Sequence, residues 1–443
     1  MCNTNLIYSR RKNRFPFLVF LMLLVPSSAF SQLRKDGFYK DLFMDSGIML
    51  TSRDDLPVAR FLHLSMERIC TKEAGAKKNV TEYDSLLQKQ KFVGYDLDEN
   101  GVLLYPDGAP RFRMIYVNGG RATSHGNSLS PAGVENVRQF YAHGGSYVGT
   151  CAGAYFASRG FTSKGEGSDN PAYSGVWKGY TTATGLNNSY TTLFVEKNSP
   201  LLEYYDFGGD MKIDSVRHNG GCYMPDREDV PKGTEILLRY DGDTLKLSNS
   251  IHKEVNAWAF KESDKTGRIV ISGSHPEAIE SGERLEMFAS MVRYALDGTG
   301  APQLKGELQD TIARKMTLCT HDNDPAFTRI GDKQYHHFVI QVPKKTASLE
   351  IQLSSFKGWT DYDLYLFASE KEFAFNDNSK FHNITKGVDK TLVIPHPKAG
   401  KLYVSVYCDT TVGTLDTEYG EQYTGRLDVL NGVPYTIKAT LHQ

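Results

Sequence analysis

From residue 38 to about residue 300, short apolar runs alternate with helix-length stretches, and beyond the segment Asp297–Pro302 that alternation stops. One layer architecture does not accommodate both textures, so the chain divides there. In the first part, Asp41–Leu50 reads as a strand and turn, Leu56–Ile69 as a helical stretch, and Arg113–Val117 as a buried strand ending in Asn118-Gly119-Gly120. Ser130-Pro131 carries the cap and first-turn signals of a helix running to His143. Ser146–Gly149 and Arg268–Ser272 are further strands, and Glu280–Leu296 is an amphipathic helix. Strands separated by helices imply crossover connections. The expected fold of 38–300 is therefore α/β and flavodoxin-like, a mainly parallel sheet with helices on both faces. Residues 73–100 and 161–180 read as loop-rich insertions.

Residues 301–312 read as a linker. Beyond them, His337–Val342, Ser348–Leu353, Asp363–Phe367, Leu402–Tyr407 and Tyr435–Leu441 are short alternating runs separated by polar turns. No helical period of useful length interrupts them, and a small all-β sandwich over 313–443 is expected.

The N-terminus reads as a cleaved signal peptide, with an uncleaved anchor as the alternative. Arg10, Arg11, Lys12 and Arg14 precede the apolar run Phe15–Val25, which is about half the length a membrane helix needs. Ala29-Phe30-Ser31 supplies the small residues of a cleavage site before Gln32. Loss of 1–31 removes four cations and no acids, moving the formal charge from −1 to −5. A periplasmic or secreted protein is expected, with no membrane span after cleavage. The charge gives no basic field for nucleic acid. Of six cysteines, Cys2 leaves with the signal; Cys70, Cys151, Cys222, Cys319 and Cys408 remain. An odd number leaves at least one thiol outside any internal disulfide. Cys70 and Cys222 read as buried small hydrophobes, and Cys319 with Cys408 is a candidate disulfide. None lies in a CxxC or a zinc-ligand spacing, so no structural metal site is expected; no cofactor is expected either.

The strongest local signal is Gly149-Thr150-Cys151-Ala152-Gly153, between a strand and the helical stretch Ala154–Arg159. A nucleophile at a sharp strand-to-helix turn needs small neighbours. There its thiol lies at a helix N-terminus, which favours the thiolate. The N–H of Ala152 is placed to donate to a developing oxyanion. Alone, the pattern equally describes a buried cysteine in a Gly-rich turn. His275-Pro276-Glu277 follows the strand Arg268–Ser272 and supplies a base with an acid to orient it.

The segments GTCAGAYFAS and SGSHPE resemble the class I glutamine-amidotransferase-like superfamily with its Cys–His–Glu triad. The branch they resemble is the N-terminal domain of biotin–protein ligases, which shares the strand ending in Gly-Gly, GGSYVGTCAGAYFAS, the segment His218–Gly221 and the final HPE. The resemblance implies Cys151 as nucleophile, His275 as base and Glu277 as orienting acid. Gly120, with Gly119, would offer a second oxyanion N–H beside Ala152. Asn219 is read either as lining the cleft or as part of a tight turn; Arg121, Tyr155 and His218 are read either as cleft or as structural residues. Nothing in the chain resembles a synthetase or a ligase domain, so neither an ammonia-consuming partner nor biotin transfer is implied.

The phrase WTDYDLYLFAS resembles the pre-peptidase C-terminal β-sandwich of secreted bacterial hydrolases. Asp361 and Asp363 are candidate calcium ligands there, or residues of a solvated strand edge. The function expected is an exported cysteine-dependent amidohydrolase acting on a small-molecule or peptide amide. The alternatives are a non-catalytic ligand-binding protein that retains the fold, and a redox cysteine protein, which the HPE motif disfavours.

Overall fold

The computed structural model describes residues 36–45, 56–69, 101–163, 165–227, 229–242, 251–319, 324–417 and 420–443. The expected signal peptide 1–31, the insertion 73–100 and Cys70 lie outside the described residues.

Five strands run parallel, in the order Met66–Ile69, Lys40–Asp45, Phe112–Val117, Ser146–Thr150 and Ile269–Ser272. Phe112–Val117 and Ser146–Thr150 are buried along their whole length. The expectation of a mainly parallel sheet needs correction beyond Ile269–Ser272. There the sheet continues through Val255–Phe260, Glu235–Asp241, Ser189–Val195 and Lys212–His218, each antiparallel to its neighbour. Among the described residues, 183–268 hold no α-helix, so no helical crossover carries the chain back in parallel.

Helical cover is also thinner than expected. The stretch Leu56–Ile69 becomes a short helix, Pro57–Phe61, and then the strand Met66–Ile69. The helix Ala122–Ala142 breaks at Ser130 (φ 64°, ψ 165°), immediately before Pro131. The Ser-Pro signal thus marks the second half of this helix; Gly126, Asn127 and Ser128, all weak helix formers, hide the first. Ala152–Ala157 packs on it, while Glu283–Asp297 packs on Pro57–Phe61 and on the strands of the sheet. The region 161–180 is strand-forming: Gly160–Ser163, Glu166–Asp169, Tyr180–Ala183 and Cys222–Tyr223 make a separate four-stranded sheet.

The C-terminal part consists of a five-stranded and a four-stranded sheet whose inward residues share one buried core. Each of its five expected strands is present, as Tyr335–Val342, Ser348–Ser355, Leu364–Ser369, Gly400–Cys408 and Tyr435–His442. Leu304–Glu307, inside the stretch read as a linker, is a strand parallel to Tyr335–Val342. A hairpin of Gly413–Thr417 and Gly420–Thr424 pairs with Met66–Ile69, so it extends the central sheet at its edge. The two parts form one compact unit, Lys35–Gln443.

Cys408 is buried, and its thiol donates to the Thr410 carbonyl at 3.5 Å. The disulfide with Cys319 is therefore not made. Asp363 accepts from the Gly387 N–H at 2.7 Å, and Asp361 is exposed. No group of three or more metal-ligating side chains occurs among the described residues.

Candidate active site

Cys151 lies between the strand Ser146–Thr150 and the helix Ala152–Ala157 with φ 47° and ψ −101°, outside the regions open to most side chains. The turn is possible because its neighbours are small. A Cβ on Gly153 would stand 2.0 Å from the Val117 carbonyl oxygen, and one on Gly149 2.6 Å from the Gly153 carbonyl. The backbone is pinned by the Cys151 N–H, which donates to the Ser272 carbonyl at 2.9 Å. Cys151 is 5% exposed, and its thiol faces the Asn219 carbonyl at 3.9 Å.

The same pairing brings the second motif alongside. Ile269–Ser272 runs parallel to Ser146–Thr150 with Ser272 opposite Thr150, so both strands end side by side and His275 follows beside Cys151. His275 Nδ1 lies 2.8 Å from Glu277 Oε1, and Nε2 has no hydrogen-bond partner of ordinary geometry. Burial opposes charging of this ring. The interactions with Cys151 and Glu277 outweigh burial and lift its pKa to about 10. Glu277 is buried, and its second oxygen meets the Thr150 hydroxyl at 3.5 Å. Thr150 is in turn 2.9 Å from the Tyr116 hydroxyl.

Gly119 packs against the imidazole. A Cβ there would stand 2.4 Å from His275 Cε1 and 2.8 Å from Nδ1, so only glycine admits the ring in this position. Gly120 follows with φ 142°. The N–H groups of Gly120 and Ala152 are not taken by hydrogen bonds among the described residues.

The segment His218–Gly221 contributes mainly backbone. The Asn219 carbonyl faces the thiol, while its side-chain oxygen accepts from the Asn188 N–H at 3.4 Å. Tyr155 donates to the Gly221 carbonyl at 2.8 Å. His218 is fully buried with Nε2 2.8 Å from the Thr191 hydroxyl. Burial, then the charge of nearby His275, hold its pKa down to about 3, so it is neutral near pH 7. Arg121 is exposed at the start of the helix Ala122–Ala142.

Sequence reasoning missed Thr150, Tyr116 and Asn118. Asn118 is fully buried, and neither its amide oxygen nor its nitrogen has a partner among the described residues. The available signal was positional: polar residues at the C-terminal ends of buried parallel strands, where ligands gather in open α/β sheets.

The family model for the biotin–protein ligase N-terminal domain matches residues 99–169. That stretch carries Gly119, Gly120, Cys151 and Ala152 but neither His275 nor Glu277. No curated protein matches the chain. Among solved structures, a glutamine amidotransferase is similar at 19% identity, covering 41% of this chain and 79% of that one, with TM-score 0.27. A protein described as ThuA-like from Bacteroides uniformis is 11% identical over 57% of this chain and 91% of its own, TM-score 0.32. The pre-peptidase C-terminal domain of a collagenase from Bacillus anthracis is 11% identical over 32% of this chain and all of its own, TM-score 0.18. Among the described residues no helix is long and apolar enough to cross a membrane.

Proposed function

We propose that this chain is an exported cysteine-dependent amidohydrolase that cleaves a small-molecule or peptide amide through a thioester acyl-enzyme. One observation carries the reading: a cysteine in a strained turn beside a histidine that interacts with it, whose one nitrogen is held by a buried carboxylate and whose other makes no hydrogen bond of ordinary geometry. Glu277 fixes the proton on Nδ1 and leaves Nε2 to take the thiol proton. The raised pKa of His275 favours the resulting imidazolium.

The thiolate sulfur adds to the amide carbonyl carbon, and the carbonyl oxygen takes the electron pair. The N–H groups of Ala152 and Gly120, with Gly119, are the donors for that oxyanion. As the adduct collapses, Nε2 returns its proton to the nitrogen, the C–N bond breaks, and ammonia or an amine leaves. Water then gives a proton to Nε2 and adds to the thioester; collapse releases the carboxylic acid and regenerates the thiol. The basic and apolar N-terminal segment supports a target outside the cytoplasm, and the chemistry needs neither a cofactor nor a synthetase partner.

Alkylation by iodoacetamide at neutral pH, mapped by mass spectrometry, tests the pair. Cys151 should react faster than buried Cys222 and Cys408, and His275→Ala should slow it at least about tenfold. A panel of amides should then yield ammonia or amine with the wild type and none with Cys151→Ala. A Cys151 that reacts no faster than Cys222, or ignores His275, overturns the proposal and leaves a non-catalytic ligand-binding protein.

A further inference from the structure

A second cleft, of about 590 Å³, opens between the four-stranded sheet and the hairpin of Glu235–Asp241 and Val255–Phe260. Its volume lies within the roughly 300–1,000 Å³ common for small-ligand sites. It is separate from the thiol site. Cys222 is fully buried and senses the charge of Cys151, whereas the next residue on the same short strand, Tyr223, lines the cleft. Successive residues of a strand point to opposite faces.

The charges around this cleft are unevenly used. Arg239 is spent on the protein itself: Nε pairs with Glu196, Nη1 donates to the Lys253 carbonyl at 2.8 Å, and Nη2 donates to Asp226 at 3.0 Å. Arg227 bridges the Gly165 carbonyl and Asp229, both at 3.1 Å. Two neighbours in the chain remain unspent. The half-buried Glu254 carboxylate receives no hydrogen bond and forms no ion pair among the described residues, and the exposed Lys253 ammonium also has no partner there. Burial pushes the Glu254 pKa up, against the pull of Arg239. Thr162, buried on the same wall, has a hydroxyl that is likewise unpartnered among the described residues.

The buried side of the Glu254 carboxylate loses part of its hydration, so a donor arriving in the cleft stabilises its charged form. Glu254 therefore calls for an N–H-rich cation and Lys253 for an anion, while Arg227 and Arg239 are already balanced by Asp229, Glu196 and Asp226. Because Lys253 and Glu254 do not pair with each other, a ligand carrying both charges satisfies both at once. We infer that this cleft binds a small zwitterion, an α-amino acid or a short peptide with free ends, with its ammonium on Glu254 and its carboxylate toward Lys253. Binding here does not depend on catalysis at Cys151.

Calorimetric titration of the full chain with glycylglycine tests this site. Saturable binding is expected. Capping either end, as N-acetyl-glycylglycine or glycylglycinamide, should weaken it at least about tenfold, as should Glu254→Gln; Lys253→Gln should weaken it less, because Lys253 is exposed and Glu254 half-buried. Cys151→Ala should bind glycylglycine as the wild type does, whether or not amide turnover is found. The inference is overturned by absent saturable binding, by unchanged affinity in both cleft variants, or by loss of binding in Cys151→Ala, which would put the ligand at the thiol.

Discussion

Arg111 and His275 are both buried beside a carboxylate, yet the networks around them are completed to different degrees. Each guanidinium nitrogen of Arg111 is used: Nε and Nη2 donate to the two oxygens of Asp332 at 2.8 Å, and Nη1 to the Tyr423 hydroxyl at 2.8 Å. Asp332 also accepts from Thr411 at 3.0 Å, and Tyr423 donates to Glu67 at 2.8 Å. Around His275, by contrast, His275 Nε2, His218 Nδ1 and both amide atoms of Asn118 are buried without a hydrogen bond of ordinary geometry among the described residues. An unsatisfied buried polar group costs about 1–3 kcal/mol. Around Arg111 these vacancies are closed; around His275 they are open, as a site proposed to receive an amide requires, although Arg113 Nε and Trp258 Nε1 are also buried without a partner elsewhere. Arg111 and Glu67 come from the α/β part and Asp332, Thr411 and Tyr423 from the sandwich, so the completed network joins the two.

The largest effect follows from breaking that joint. Arg111→Met leaves Asp332, which is almost fully buried, with an uncompensated charge. We expect a loss of about 3–5 kcal/mol, read as a lowered denaturant midpoint of the full chain. Replacing both partners, Arg111→Met with Asp332→Leu, should recover most of it. An unchanged midpoint in the single variant would mean that the joint does not hold the two parts together.

At the other network the expected loss is in rate rather than stability. Gly119→Ala places a methyl where the His275 ring now lies, within 2.4 Å of Cε1. The ring has to move by about an ångström, a displacement that can cost on the order of 100-fold in rate. Cys151 alkylation and any amide turnover should fall by that order while the denaturant midpoint stays near wild type. A variant that loses stability but keeps Cys151 reactivity would show that Gly119 serves the fold and not the imidazole.

These networks were unequally legible in the sequence. Cys151, His275 and Glu277 stand in two short motifs at strand ends, and parallel pairing of those strands brings them together. Arg111, Asp332 and Tyr423 are single polar residues far apart in the chain, with no period or spacing to link them. The sandwich strands were legible because alternation is a local pattern. The antiparallel strands from Ser189 to Phe260 were not, since Thr, Asp, Ser, Arg and Asn interrupt their apolar runs and their partners lie across long connections. Thr150 was overlooked for a different reason: its hydroxyl matters only because Tyr116 and Glu277 converge on it from other segments.

The smallest effect separates charge from geometry at His275. Its folded pKa of about 10 lies above the ordinary 6.5. Its proton therefore stabilises the fold fully below pH 6.5, and that contribution is lost as pH rises through about 10. Glu277→Gln keeps an acceptor oxygen beside Nδ1 but removes the negative charge, leaving burial opposed mainly by Cys151. The His275 ring, followed by NMR, should then titrate at a midpoint moved back from about 10 toward 6.5, and the alkaline loss of stability should begin at lower pH. His218, neutral down to about pH 3, should remain silent over the same range and so serves as an internal control. An unmoved His275 midpoint would mean that the carboxylate does not hold the ring charged, and the contrast with the Asp332-bound Arg111 would then rest on hydrogen bonding alone.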